Sequence, residues 1–103
     1  MKILFTETFR TIFGKDSDIT ERRCDLINKL KNNIKNKIEQ KHNCKLDNIQ
    51  NGWQIRDLHI EVSANEVMSL YKKALSETDE EFSCCELLKA DLMSSEDFFE
   101  IKE

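Results

Sequence analysis

Three ionisable side chains alternate in the middle of the chain and could perform acid–base chemistry. Asp57, His59 and Glu61 are separated by single residues, so on a β-strand they would share one face. A carboxylate on each side of an imidazole raises its proton affinity, which suits a general acid, a general base or a pH switch. Catalysis also needs a pocket and a second reactive group, and no further catalytic motif accompanies the three. We therefore interpret them as the solvated face of an edge strand or as a binding surface, and predict that the protein is not an enzyme.

The four cysteines and two histidines raise the question of a metal centre. Possible zinc ligands are His42, Cys44, Cys84 and Cys85. None of them stands in a C-x-x-C or H-x-x-x-H pair, and adjacent cysteines rarely bind the same ion. Cys24 and Cys85 also occupy positions where a small buried apolar residue would fit. Because nothing in the sequence indicates export, we expect reduced thiols and neither a disulfide framework nor a cofactor.

A lysine-rich stretch is the candidate nucleic-acid surface. Its lysines are Lys29, Lys31, Lys35, Lys37, Lys41 and Lys45. Lysines neutralise phosphates and release counterions, and the neighbouring Asn and Gln side chains could read base edges. The stretch contains no arginine, the usual bidentate reader of guanine, and no aromatic residue on which bases could stack. A solvated helix face whose lysines cover an apolar stripe is therefore the simpler interpretation.

Charge is sorted along the chain. Residues 1–51 carry 11 Lys/Arg against 7 Asp/Glu, residues 52–75 carry 3 of each, and residues 76–103 carry 2 against 10. The net charge of −4 thus hides a basic first half and an acidic carboxyl-terminal part. An acidic surface steers basic partners toward it and could occupy the positive groove of a nucleic-acid enzyme.

The predicted partner-binding residues all lie in this acidic part. They are Glu77, Asp79, Glu80, Glu81, Phe82, Glu86, Asp91, Glu96, Asp97, Phe98 and Glu100, with Glu103 as a further carboxylate. Phe82, Phe98 and Phe99 could serve as apolar anchors that slow dissociation. For any single carboxylate, a merely solubilising role is the alternative.

The elements that position these side chains follow from the spacing of apolar residues. A helix is predicted from about Asp18 to His42, because Asp18 and Glu21 have the spacing of a capping box. Apolar residues then recur at steps of three, four and seven, namely Ile19, Ile27, Leu30, Ile34 and Ile38. The opposite side carries a column of amides, namely Asn28, Asn32, Asn36 and Gln40. One face of this helix should therefore pack on the core.

A strand is predicted in the middle of the chain. It follows a polar connection from Asn43 to Gly52, which closes with an Asn-Gly turn signal. From Trp53 to Val62 the apolar positions read as a strand, but their parity changes between Ile55 and Leu58. A bulge or bend near Arg56-Asp57 would reconcile the two halves.

A second helix should begin after this strand. Ser63 and Glu66 form a capping box, and the apolar stripe is Val67, Leu70, Tyr71, Ala74 and Leu75. Farther on, Glu80 to Met93 fits either a third helix or a short helix that passes into a strand. In the second case Leu87–Met93 could pair with Phe98–Ile101 as a hairpin, and a frayed terminal helix is the alternative.

The opening segment fits two patterns. A helical stripe would contain Phe5, Phe9, Ile12 and Phe13, whereas Ile3, Phe5, Phe9 and Phe13 share the parity of a strand. Three threonines favour the strand slightly. Gly14 should end the element in either case.

Together these elements predict one α+β domain over residues 1–103. Two or three helices would pack on one face of a short mixed or antiparallel sheet, and an all-α bundle is the alternative. The apolar run at the amino terminus is too short for a signal peptide or a membrane span. We therefore expect a cytosolic protein without a membrane partner.

The chain resembles the small acidic immunity proteins of bacterial toxin systems, including those of contact-dependent growth inhibition. The resemblance rests on a short chain that begins at Met1, on the lack of a catalytic set and on the clustered acids from Glu77 to Glu103. It implies a tight one-to-one complex with a basic toxin domain, often a nuclease, whose active site or an adjoining surface is blocked. The alternatives are a small regulatory nucleic-acid-binding protein that uses the lysine-rich stretch, and a phage-encoded inhibitor of a host nucleic-acid enzyme.

Overall fold

An antiparallel four-stranded sheet forms the base of the molecule and carries the helices on one face. The computed structural model describes residues 1–14, 21–78, 86–94 and 96–103. The elements are β1 (Lys2–Phe5), α1 (Glu7–Gly14), α2 (Glu21–His42), β2 (Leu46–Ile49), β3 (Gly52–Ile55), α3 (Ala64–Glu77), α4 (Glu86–Leu92) and β4 (Phe99–Lys102). This confirms the α+β class, with four helices in the described residues and an antiparallel sheet.

The two faces of the sheet differ in polarity. The strand order is β2-β3-β1-β4, so β1 and β3 are central and β2 and β4 are edges. The face under the helices buries Ile3, Phe5, Leu46, Trp53, Ile55 and Phe99. The opposite face exposes Lys2, Gln54, Glu100 and Lys102. This alternation is typical of an antiparallel sheet with one covered face.

The opening segment contains both of the elements that its pattern allowed. Residues 2–5 form β1, and α1 then begins after Thr6 and ends at Gly14. The Thr6 hydroxyl accepts a hydrogen bond from the Phe9 N–H at 3.3 Å, so this threonine caps a helix. The preference for a strand throughout the segment was therefore wrong, because a threonine expected to favour a strand caps α1.

Helix α2 is the predicted long helix. Its apolar stripe Ile27, Leu30, Ile34 and Ile38 is buried as expected and packs against α3. The capping box at Asp18 and the stripe residue Ile19 lie outside the described residues. No helix in the described part of the chain has the length and apolarity needed to cross a membrane.

The predicted polar connection contains a strand. Leu46–Ile49 forms β2 and pairs with β3, with Leu46 opposite Ile55 and Ile49 opposite Gly52. The predicted Asn-Gly turn joins the two strands, and Asn51 takes the left-handed conformation with φ of 61°. Asparagine tolerates this conformation better than most residues because its short polar side chain can bond locally.

The strand expected from Trp53 to Val62 is shorter than predicted. β3 ends at Ile55, and residues 56–63 form a turn and an irregular connection. The change of parity therefore marks the end of the strand and not a bulge. Leu58 is 89% exposed, whereas Val62 returns to the core just before α3.

Helix α3 agrees with its prediction. The Ser63 hydroxyl accepts a hydrogen bond from the Glu66 N–H at 3.2 Å and caps the helix. The five residues of the predicted stripe, Val67, Leu70, Tyr71, Ala74 and Leu75, are buried.

Of the alternatives for the last part of the chain, the third helix is confirmed over the described residues 86–92, and the hairpin of Leu87–Met93 with Phe98–Ile101 is wrong. Residues 86–92 form helix α4, and β4 pairs with β1 at the start of the chain. Phe99 faces Phe5, and Lys102 faces Lys2. The alternative of a frayed terminal helix is wrong for the same reason.

Candidate functional site

Four exposed carboxylates surround the edge strand β4. We call Glu96, Asp97, Glu100 and Glu103 the acidic edge. Their side chains form no ion pair with the described residues. Lys2 and Lys102 are exposed beside Glu100 on the open face of the sheet, but the four carboxylates outnumber these two lysines, so the net field at this end of the sheet is negative.

Buried aromatic rings fix the acidic edge to the core. The Phe98 side chain is 0% exposed. Its ring stacks on the Phe9 ring, with the centroids 4.7 Å apart, and meets the Tyr71 ring edge-on, with the centroids 5.4 Å apart. Phe99 meets the ring of Phe5 at 6.1 Å. The prediction of Phe98 as an interface anchor is therefore corrected, because this side chain is an internal part of the core. Phe99, the other residue considered for an anchor, is also buried.

Thr6 adds polar contacts at the same place. Its N–H donates to the Phe98 carbonyl at 2.9 Å, and its hydroxyl donates to the Asp97 carbonyl at 2.9 Å. The hydrogen bond from the Thr6 N–H to the Phe98 carbonyl also fixes the hydrogen-bonding pattern between β1 and β4. The backbone N–H and C=O groups of Glu100 and Lys102 face β1, as the Phe98 carbonyl does. The N–H and C=O groups of Phe99 and Ile101 therefore face the outer edge, where no other strand of the described residues pairs with β4.

The other predicted partner-binding residues divide into three groups. Glu77 accepts hydrogen bonds from Lys37 at 2.7 Å and from Asn33 at 3.2 Å, so it belongs to the contact between α2 and α3. Glu86 and Asp91 lie on α4, and Asp91 is half-buried. Asp79, Glu80, Glu81 and Phe82 lie outside the described residues. The acidic edge is therefore the best defined part of the predicted surface.

Comparisons with protein-family models, curated proteins and solved structures found no match. Function must therefore be inferred from the side chains of this chain itself. Met93 is an exposed apolar side chain, with 64% of its surface exposed, and stands three residues before Glu96 in the sequence. It borders a cavity of about 410 Å³ between α3 and α4 that Leu75 and Leu92 also line. Sequence reasoning missed Met93 because a lone methionine near a helix end has no pattern that separates surface from core.

The lysine-rich stretch is divided between two sides of α2. Lys37 pairs with Glu77 at 2.7 Å, and Lys41 pairs with Glu66 at 2.8 Å. Lys31 instead lies over the Phe5 ring, with its ammonium 5.1 Å from the ring centroid. A continuous phosphate-binding face is therefore not formed, which weakens the nucleic-acid alternative.

Glu66 joins the carboxyl-terminal end of α2 to the first turn of α3. Its carboxylate contacts Lys41 at 2.8 Å and His42 Nε2 at 3.1 Å, and its side chain is 20% exposed. The hydrogen bond from Lys41 is the main reason that the pKa of Glu66 is lowered. A lowered folded-state pKa stabilises the protein above the unfolded-state pKa, and that stabilisation is lost as the pH falls through the folded-state pKa.

Glu66→Gln should therefore reduce the pH dependence of stability. We expect the free energy of unfolding of the wild type to be higher than that of the variant. This difference should be largest at pH 7 and should shrink below about pH 4. Urea denaturation at pH 7, 5 and 3.5 measures this difference. Glu61→Gln, in the exposed connection before α3, is the control. A difference that stays constant from pH 7 to pH 3.5 would show that the ion pairs of Glu66 do not contribute.

The alternating acid–base residues do not form one face. Residues 57–61 are not part of a strand, and Asp57, His59 and Glu61 are all exposed. The Asp57 carboxylate accepts a hydrogen bond from the His59 N–H at 2.9 Å, which forms a local turn. The prediction that the three side chains share a strand face was wrong because β3 ends at Ile55.

The cysteines and histidines are not gathered into a metal site in the described residues. No group of three or more His, Cys, Asp or Glu side chains there could hold an ion. His42 contacts Glu66, and burial together with Glu39 and Asp57 raises the pKa of the Cys44 thiol. A raised pKa keeps this thiol protonated and makes it a poor nucleophile. Cys84 and Cys85 lie outside the described residues.

Proposed function

We propose that this protein is a stoichiometric inhibitor of the immunity-protein type, which binds a cognate bacterial toxin domain through the acidic edge and keeps it inactive. The observation that supports this proposal most is the position of four exposed carboxylates at an edge strand that buried aromatic rings hold in place. Other acids of the chain, such as Glu66 and Glu77, are neutralised by lysines within the fold. The acidic edge therefore has charge available for a partner.

Two kinds of interaction would contribute to binding. Long-range attraction between the acidic edge and a basic toxin surface increases the association rate. At contact, the outward backbone groups of Phe99 and Ile101 could pair with an extended segment of the toxin, and the exposed side chain of Met93, just after α4, could be buried by the same partner. A nuclease suits this arrangement, because its substrate groove must be positive to bind nucleic acid.

The first experiment identifies the partner and then tests the surface. The tagged protein is captured from its own cells at moderate salt, and the eluate is examined by mass spectrometry and for nucleic acid. The proposal expects one basic protein at one-to-one stoichiometry whose toxicity or enzymatic activity falls when this chain is added. Nucleic acid that elutes as the salt concentration rises would instead support the lysine-rich stretch as the binding element.

Charge reversal on the acidic edge should then slow association with the purified partner. Glu100→Lys combined with Glu103→Lys removes two carboxylates from the site and adds two cations. We expect the association rate constant to fall by about tenfold or more at low ionic strength, because steering by the site is lost. Stopped-flow or surface-based kinetics at several salt concentrations measures the change.

A matched control separates local from total charge. Asp25→Lys combined with Glu61→Lys changes the net charge equally at two exposed positions outside the acidic edge. At an ionic strength of about 0.15 M, where the Debye length is about 8 Å, association of this control should stay within about twofold of wild type, whereas the Glu100→Lys and Glu103→Lys variant should still be slowed. Equal slowing of both variants would mean that net charge, and not the acidic edge, attracts the partner.

A further inference from the structure

A second cavity, with a polar lining, lies against β1, β2 and β3. It has a volume of about 450 Å³ and lies between α1, α2 and the turn that joins β2 to β3. The described residues that line it are Phe5, Arg10, Asn28, Lys31, Asn32, Asn48, Ile49, Asn51, Gly52 and Trp53. This volume is within the range of small-molecule sites in proteins. The acidic edge contributes none of these residues, so the cavity and the proposed partner surface are separate.

The lining is positively charged although the whole chain is negative. Arg10 from α1 and Lys31 from α2 are its charged members, and no carboxylate occurs among the described lining residues. Lys31 is half-buried over the Phe5 ring, and burial lowers the pKa of its ammonium group. A cation that has lost part of its hydration interacts more strongly with an anion than a fully solvated one does. The cavity therefore favours an anionic ligand.

Four asparagine amides line the same cavity as these two cations. Asn28 and Asn32 belong to the amide column predicted on α2, and Asn48 and Asn51 come from β2 and its turn. Each asparagine amide offers two N–H donors and one carbonyl acceptor. Such a set can bind a ring that carries both donors and acceptors, as asparagine does with the edge of adenine.

We propose that this cavity binds a nucleoside monophosphate, with the phosphate at Arg10 and Lys31 and the base edge at the asparagine amides. Arginine suits the phosphate because its planar guanidinium can form two parallel hydrogen bonds to phosphate oxygens. Lys31 adds a second positive charge from the adjacent helix. The proposal does not depend on the inhibitor function, because the acidic edge and the cavity share no residue.

The chain contains a built-in reporter for this site. Trp53 is the single tryptophan and lines the cavity. We expect AMP, GMP, CMP or UMP to change its fluorescence saturably, with one-to-one stoichiometry by calorimetry. At least one of the four should bind more tightly than both inorganic phosphate and its own nucleoside, since the site would use both parts of the ligand.

Three variants test the assignment of roles. Arg10→Gln with Lys31→Met should weaken nucleotide and phosphate binding by tenfold or more, because both cations are lost. Asn32→Ala with Asn48→Ala should weaken nucleotide binding and leave phosphate binding unchanged. Lys72→Met with Lys73→Met removes the same charge from exposed positions of α3 and should leave both affinities unchanged.

Three results would overturn the proposal. If none of the four nucleotides produces a saturable change in Trp53 emission or a heat of binding by calorimetry, the cavity is not a nucleotide site. If inorganic phosphate binds as tightly as every nucleotide, the asparagine amides do not contribute to binding of the base. Equal weakening in the Lys72 and Lys73 variant would mean that binding follows net charge. Each of these results leaves the toxin experiments unaffected, so the two proposals fail separately.

Discussion

Phe98→Ala is expected to lower the free energy of unfolding by about 3–5 kcal/mol. The Phe98 ring is fully buried, stacks on Phe9 at 4.7 Å and contacts the edge of Tyr71 at 5.4 Å. Truncation removes these ring contacts and leaves a cavity, because the surrounding helices and β4 can relax only partly. Urea denaturation monitored by circular dichroism measures the change in the midpoint and in the free energy.

A conservative variant and a binding measurement define the role of this ring. Phe98→Leu keeps much of the buried volume and should cost clearly less than Phe98→Ala. If Phe98→Ala costs under about 1 kcal/mol yet abolishes binding of the partner, the ring is an interface anchor. That result would contradict its assignment to the core and restore the prediction made from sequence.

Gly52→Ala is expected to be the most damaging small substitution in the sheet. A Cβ atom at this position would lie 2.1 Å from the Ile3 carbonyl oxygen and 2.9 Å from Leu4 Cα. Both atoms belong to the backbone of β1, so no side-chain rotation can relieve the overlap, and β1 and β3 must separate. We expect a loss of about 3 kcal/mol or more in the free energy of unfolding, again measured by urea denaturation.

Gln54→Ala is the matched control on the same strand. Its side chain is exposed on the open face of the sheet, so the substitution should change stability by no more than about 0.5 kcal/mol. The conformation of Gly52 does not explain the requirement for glycine, because its φ is not positive and the left-handed residue of the turn is Asn51. Wild-type stability in Gly52→Ala would show that β1 can move away from β3 without loss of pairing.

The helices could be predicted because the residues that determine them are close together in the sequence. In α2 and α3, the burial of residues such as Ile34 and Val67 follows directly from the helical period. The cap at Ser63 was also visible, since the hydroxyl and the N–H that it accepts from are three residues apart. Periodicity over several turns averages out single ambiguous residues, which explains why these elements agree so well with the sequence.

The strands were harder to predict because four residues carry little pattern. β2 reads Leu-Asp-Asn-Ile, and its central residues are typical of turns. It is a strand because it pairs with β3, and the exposed ion pair between Arg56 and Asp47, with Nε 2.7 Å from Oδ2, adds little to that pairing. A strand at Phe98–Ile101, one residue earlier than β4, was one of two alternatives for this segment, but its partner β1 lies at the opposite end of the chain, and sequence spacing does not reveal such a long-range pairing.

The candidate sites show the same limit. The acidic edge was visible as a cluster of carboxylates, whereas the burial of Phe98 depends on α1 and α3. In the cavity, Asn28 and Asn32 were recognised as an amide column, but Arg10 and Asn48 reach it from distant parts of the chain. Composition can thus indicate the charge of a surface, while the set of groups that meet at one place depends on the fold.

The position of β4 also bears on how the protein avoids its own copies. An exposed edge strand is a template for pairing with any other extended chain, including an identical one. Two copies that met edge to edge would bring two sets of carboxylates together, and their repulsion disfavours the homodimer and the fibril. A segment rich in lysine or arginine meets no such barrier. The same four acids that would select a basic partner therefore also disfavour self-association through this edge.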